Sequence, residues 1–221
     1  MHTHSKEFQL NLTPEKAYEV LIEGNDRFRN NIKMNRDLMQ QMTDTSTGQY
    51  PFAVALSCMD SRTSVELVFD QGIGNIFSIR IAGNIVNEDI LGSMEYACQV
   101  VGTKVIVVLG HTHCGAIKGA CDNVQLGNLT GLLNKIRPVV EQTGEDNDSK
   151  DPNFADKVAH ANVIHTIEDV LEKSPIIREL FEKGTIGILG GMYSVETGGV
   201  SFIKEMFNNA TVDQYQEMET V

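Results

Sequence analysis

At 221 residues, with 41% hydrophobic and 22% charged residues, the chain is long enough for one substantial hydrophobic core and reads as globular and soluble. Acidic residues number 30 and basic residues 18, a net charge of −12. That balance argues against nucleic acid or an anionic membrane as partner, since both are bound mainly through Lys and Arg. No apolar run approaches the roughly 20 residues of a membrane span, and no apolar segment follows the first charges, so a secretory leader is not expected. The four cysteines, Cys58, Cys98, Cys114 and Cys121, are too few for a disulfide scaffold in a chain of this length. Metal binding, catalysis or core packing is the expected use, in a reducing, cytoplasmic compartment.

Thr13-Pro14-Glu15-Lys16 marks a helix start, with Thr as N-cap, Pro at the first helical position and an acid in the first turn. The helix continues through Ala17, Val20, Leu21 and Phe28, and polar residues follow to Gly48. Residues 1–48 are expected to form a helical arm lying outside a sheet or on a partner subunit. Residues 49–221 form an α/β core within the same single domain. Phe52–Leu56 has the length and apolar character of a buried strand, and Gly74–Ile81 reads as a second strand leading into the loop Ala82-Gly83-Asn84. Asp89–Val101 is a helix with an apolar face.

Lys104–Gly110 is the clearest strand, with no polar alternation, as expected of a strand buried on both faces of a parallel sheet. Gly115–Cys121 is helix-like. The run from Glu141 to Asp156 is polar and acidic and reads as a solvated loop. A long helix spans about Lys157–Glu172. Thr185–Tyr193 is a final apolar strand, and Thr197-Gly198-Gly199 turns the chain into an edge strand at Val200–Ile203. Strands alternating with helices predict an α/β fold with a mostly parallel central sheet flanked by helices.

Two stretches carry chemistry. Ser57-Cys58-Met59-Asp60-Ser61-Arg62 follows the first strand, and Gly110-His111-Thr112-His113-Cys114-Gly115 follows the strongest one. In a parallel sheet both project from the carboxyl edge, where such sheets place their ligands. Cys58, His111 and Cys114 then make a Zn²⁺ site of two thiolates and one imidazole, with a fourth position left for water or for Asp60. Two thiolates donate more charge than imidazoles would, so the bound water should be more basic than in an all-His site. A bidentate pair with Arg62 gives Asp60 a reason to turn away from the metal. Asp60 would then orient the attacking hydroxide or pass its proton.

The pattern C-x-D-S-R with a later G-H-x-x-C-G, together with "RIAGN" (Arg80–Asn84), "EYA" (Glu95–Ala97) and "GILGGMYSVETGGV", strongly resembles the β-class carbonic anhydrases from about residue 15 to residue 205. The resemblance implies zinc on Cys58, His111 and Cys114, and an Asp60–Arg62 catalytic dyad. It implies reversible hydration of CO₂ to bicarbonate by zinc-bound hydroxide. It further implies a substrate pocket lined by Gln49, Phe77, Ile81, Tyr96 and Gly115, commonly at a subunit boundary, in a homodimer or homotetramer. Relatives with a bicarbonate-regulated closed form, in which Asp60 would be the fourth ligand, carry a tryptophan just before the first motif. This chain has no tryptophan, which favours the open form.

Blander readings exist for each residue. Cys98 and Cys121 are expected in the core, and His113 is a polar neighbour rather than a ligand. His2 and His4 belong to a tail. Phe77 and Tyr96 serve equally well as packing residues, and Asp60 with Arg62 as a helix cap and its ion pair. Two other functions compete with CO₂ hydration: hydrolysis of COS or CS₂ on the same fold, and a non-catalytic zinc or thiol module.

Overall fold

The computed structural model describes residues 3–146 and 153–208. Five strands, β1 (Ala53–Ser57), β2 (Ile76–Arg80), β3 (Val105–His111), β4 (Gly187–Tyr193) and β5 (Val200–Met206), form one sheet in the order β2-β1-β3-β4-β5. The first four run parallel and β5 is antiparallel. β1, β3 and β4 are buried along their whole length, as their unbroken apolar runs predict. β5 lies at the edge with a mixed pattern and a bulge opposite Gly190/Gly191, and it runs three residues beyond the expected end.

Ten helices occur among the described residues: α1 (Lys6–Asn11), α2 (Pro14–Arg29), α3 (Leu38–Asp44), α4 (Val65–Val68), α5 (Glu88–Glu95), α6 (Gly115–Cys121), α7 (Gly127–Leu133), α8 (Arg137–Asp146), α9 (Phe154–Lys173) and α10 (Pro175–Glu182). α5 runs straight into a wide π-type turn, Tyr96–Val101, which ends at left-handed Gly102. α2 starts as its sequence predicts, with the Thr13 side chain accepting the Lys16 N–H at 3.3 Å and Pro14 at the first position.

Two cores sandwich the sheet. Ala17 and Leu21 of α2 and Val65 and Val68 of α4 pack with Ala53, Ala55, Val105, Val107 and Leu189 on one face. On the other, Val54, Leu56, Ile106, Val108 and Ile188 meet α6, the long α9 and α10. Gly110 marks where α9 comes closest, because a Cβ there would lie 2.7 Å from a methyl of Val163 and 2.7 Å from the sulfur of Met192. Any larger residue would push α9 off the end of β3.

Three expectations need correction. Residues 141–146 are the end of α8 rather than loop; 147–152, also expected as loop, lie outside the described residues. Val139 and Thr143 are buried there, and this i, i+4 stripe faces α9 while Glu141 is exposed, so packing overrides the polar composition. α9 likewise starts three residues early, at Phe154, whose ring is buried. His4 is not a tail residue: its ring packs 4.1 Å from that of Phe8 and 5.4 Å from that of Phe52. His2 lies outside the described residues.

The chain after α2 is tied to the core by an ion network around Asp70. This buried carboxylate accepts Arg27 Nε at 2.6 Å, an Arg36 guanidinium N–H at 2.5 Å and the Met34 N–H at 3.2 Å, and Arg36 also donates to the Asp70 carbonyl. Burial pushes the carboxyl upward, but the two arginines and the Met34 N–H outweigh it and hold the Asp70 pKa below its ordinary value. A depressed folded pKa means stability that is present above the unfolded carboxylate value, about 3.9, and lost as pH falls through the folded one. Asp70 has φ 44°, a conformation asparagine also tolerates, so Asp70→Asn tests the charge alone. It should cost about 3 kcal/mol at neutral pH, the low end for one partner removed from a buried ion pair. Denaturant unfolding of both proteins checks this, and the gap between them should narrow as pH drops below about 4.

Candidate active site

Parallel pairing of β1 with β3 places Ser57 beside Leu109, so the next residue, Cys58, leaves the sheet at the level of Gly110 and His111. Neighbouring strands are about 4.8 Å apart, and the two motif loops therefore start as immediate neighbours. Cys58 Sγ lies 3.9 Å from Cys114 Sγ. These sulfurs and a ring nitrogen of His111 all fall within 4.8 Å of one another, and all three residues are buried. Among the described residues this is the one such cluster of His, Cys, Asp or Glu; Asp60 and His113 are not in it.

The electrostatics of the cluster fit a cation. His111 Nδ1 lies 2.9 Å from the Thr112 carbonyl, so the proton sits on Nδ1 and the lone pair on Nε2. That Nε2 is buried without a hydrogen-bond partner, an arrangement that is costly unless something electron-poor sits opposite. The hydrogen bond shared with Cys114 draws the Cys58 thiol well down against the cost of burial, and the N–H groups of Gly83 and Asp60 add to this. Cys114 is pushed up by the hydrogen bond it shares with Cys58 and by burial, while the N–H groups of Ile117 and Ala116 in α6 act the other way. The two sulfurs share one hydrogen bond, and a metal ion bound between them would displace its proton.

The first loop is braced from three sides. Thr63 Oγ1 donates to the carbonyls of Cys58 (3.1 Å) and Asp60 (2.9 Å). Arg80, at the end of β2, donates to the Cys58 carbonyl at 3.2 Å and to that of Asp60. Gly83, at φ 70°, donates its N–H to Cys58 Sγ at 3.4 Å. A Cβ at Gly83 would lie 2.6 Å from Ile136 Cδ1, so conformation and packing both require glycine. In the second loop, His113 adopts φ 55°, its N–H donates to Asp156 Oδ1 at 2.9 Å and its exposed ring lies 3.3 Å from Glu196.

Asp60 and Arg62 form a fork-to-fork pair: Arg62 Nε to Oδ1 at 2.9 Å, Nη2 to Oδ2 at 2.8 Å, with the Arg62 N–H also on Oδ1 at 2.9 Å. Asp60 does not cap α4, whose N-cap position is Ser64. The Arg62 bonds hold the Asp60 carboxyl well below the usual carboxylate range. Tyr193, at the end of β4 beside His111, is close enough to feel both charges, its phenol pushed up by burial.

The pocket positions separate into two groups. Ile81 follows β2 directly, its N–H on the Ser57 carbonyl at 3.0 Å, and Gly115 opens α6 with no atom within 4 Å of where a Cβ would be. Both adjoin the cluster. Phe77 pairs with Val54, near the amino end of β1. Its ring is 6.4 Å from that of Tyr96, and the two line a groove of about 660 Å³ beside α5. Gln49 is exposed and precedes β1 by four residues, so a five-residue strand, about 16 Å, separates it from the level of Cys58. Cys98 is buried as expected, and Cys121 is only partly so.

Of the bracing residues, Thr63 has no role in the sequence analysis and Arg80 enters it only within the RIAGN stretch. Arg80 had a detectable signal, since a donor ending the strand next to β1 must face the first loop.

The family described as carbonic anhydrase matches residues 53–200. Carbonic anhydrase 2 of Mycobacterium tuberculosis (strain H37Rv) is 32% identical over 194 residues, covering 85% of this chain and 92% of the relative. The carbonic anhydrase of Synechococcus elongatus is 32% identical over 203 residues, covering 86% and 73%. Among solved structures, the β-carbonic anhydrase CcaA superposes with a TM-score of 0.66 at 26% identity, covering 90% of this chain and 97% of that one. One of two tetrameric β-carbonic anhydrases from Sordaria macrospora gives 0.67 at 26% identity, covering 71% and 82%. A converging Cys/His/Cys set on a parallel sheet edge and these likenesses over most of the chain agree, and the chain belongs to the β-carbonic anhydrase family.

Proposed function

We propose that Cys58, His111 and Cys114 hold Zn²⁺ and that Asp60 and Arg62 serve hydration of CO₂ in a site left open for water. The observation that carries this reading is the buried, unpartnered Nε2 of His111 set beside two thiols that share a proton. Zinc, when bound, supplies a Lewis acid that brings the pKa of water toward about 7. The chain does the rest. Asp60, kept ionised by Arg62, accepts a hydrogen bond from the attacking water and fixes its orientation. With both its oxygens tied to Arg62, it is held off the metal, which is the open form.

The split pocket supports a second copy of the chain as partner. In one chain, Gln49, Phe77 and Tyr96 lie toward the amino end of the strands, and Cys58, Asp60, Ile81 and Gly115 at the carboxyl end. A homodimer, or a homotetramer built from it, would bring the first group to the other subunit's metal site. Leu10, Leu38, Met39 and Met42 are each at least half exposed around α1 and α3, and an apolar surface of this kind is what such an interface covers. A cytoplasmic location keeps the two ligand thiols reduced, and no described helix is long and apolar enough to cross a membrane.

Stopped-flow CO₂ hydration by the zinc-loaded protein tests the reading. Cys114→Ala should lose zinc and activity together; activity retained without metal would overturn it. Asp60→Asn should keep zinc while kcat falls at least about a hundredfold, the ordinary scale for a positioned proton-handling group. Faster turnover of COS or CS₂ than of CO₂ would move the assignment to sulfur substrates. For the assembly, light scattering should give a dimer or tetramer, and dilution to monomer should abolish activity while zinc stays bound.

A further inference from the structure

We infer that Asn162, on α9, is a positioning residue for the Cys58 sulfur, acting through Gly83; the inference rests on Cys58 being a metal ligand. Asn162 is 1% exposed. Its Nδ2 donates to the Gly83 carbonyl at 2.9 Å, a bond spanning 79 positions. The N–H of the same glycine donates to Cys58 Sγ at 3.4 Å. Gly83 is thus held at both ends, by a ligand sulfur on one side and by a buried amide on the other.

The need for a lock follows from the residue itself. Gly83 sits at φ 70°, ψ 16°, and the Ile136 methyl excludes any side chain there. Glycine visits this conformation at no steric cost, but it visits others as readily. Nothing intrinsic keeps its N–H aimed at the sulfur. Asn162 supplies the restraint from a rigid helix, α9, that also packs against the end of β3 next to Gly110.

The chemical consequence is a tuned thiolate. A hydrogen bond to a ligand sulfur withdraws charge from it and fixes its direction, and outer partners of this kind typically change metal affinity by about ten- to a hundredfold. One helical turn further on, Thr166 gives an internal control. Its hydroxyl donates to the Asn84 carbonyl at 3.3 Å, is as buried as Asn162, and braces the same loop one peptide later with no route to the sulfur.

The first measurement uses the unaltered protein loaded with ¹¹³Cd. Scalar coupling between the Gly83 amide proton and the cadmium should appear across the N–H···S bond. Absence of coupling with cadmium bound would overturn the inference, whereas failure to bind cadmium at all would overturn the metal reading beneath it. The second compares Asn162→Ala with Thr166→Val. Asn162→Ala should lose the coupling, shift the sulfur-to-metal charge-transfer band of the cobalt form, and release zinc to a chelator about tenfold or more faster. Thr166→Val should leave the coupling, the band and the release rate as they are. Equal changes in both variants would reduce Asn162 to a scaffold residue.

Discussion

The parallel pairing of β1 with β3 is the constraint on which the rest depends. A Cys/His/Cys cluster split between residues 58 and 111–114 can meet in this sheet only if the two strands are neighbours, run the same way and end at the same level. All three hold, with Ser57 opposite Leu109. A one-residue slip in that register would turn Cys58 to the opposite face of the sheet. The register is enforced from both faces: Val54 and Leu56 are buried on one, Ala53 and Ala55 on the other. A one-residue slip would exchange the alanines for the larger Val54 and Leu56 in both cores, so the sheet's packing is what brings the two sulfurs to 3.9 Å.

This also explains which features were legible in the sequence. Strands buried on both faces announce themselves as unbroken apolar runs, and residues that follow them fall at the carboxyl edge. The central strands and the five motif residues Cys58, Asp60, Arg62, His111 and Cys114 could therefore be placed before any coordinates. The short helices α3, α4 and α7 could not. At four to seven residues they fall well below the length at which a helix is stable alone, and their existence depends on surroundings that no local pattern records. The end of α8 was hidden for a related reason, since its composition is that of a loop and only the stripe of Val139 and Thr143 against α9 makes it helical. Arg80, Thr63 and Asn162 act through hydrogen bonds to main-chain carbonyls. Such bonds leave no chemical signature in the residue types of Thr63 and Asn162, and Arg80 is readable only from its position at the end of the strand beside β1.

The separation of Gln49 and Phe77 from the metal cluster was likewise beyond motif reading, because it is a distance along a strand and not a spacing in sequence. It changes what the pocket residues mean. In a single chain, Phe77 and Tyr96 form a half-open groove with no thiol or imidazole in it, while Asp60 and Arg62 stand on the loop that carries Cys58, at the other end of β1 from Phe77. Each half is chemically incomplete in a different way, one with surface for a nonpolar molecule and the other with charge and donors. Assembly, under the proposed reading, is then a condition of catalysis more than of folding, since both hydrophobic cores lie within one chain.

Charge completes the argument. A net charge of −12 has no effect on the approach of neutral CO₂ but repels bicarbonate at long range, weakly beyond the Debye length of about 8 Å at physiological salt. Release of an anionic product is therefore favoured by the bulk of the protein. Capture of bicarbonate for the reverse reaction depends on local positive charge. Arg62, with about half of its side chain exposed next to the cluster, already has both carboxylate oxygens of Asp60 on its fork, and Arg80 is turned toward the carbonyls of Cys58 and Asp60. Among the described residues, the two arginines nearest the site are thus engaged in shaping the first loop.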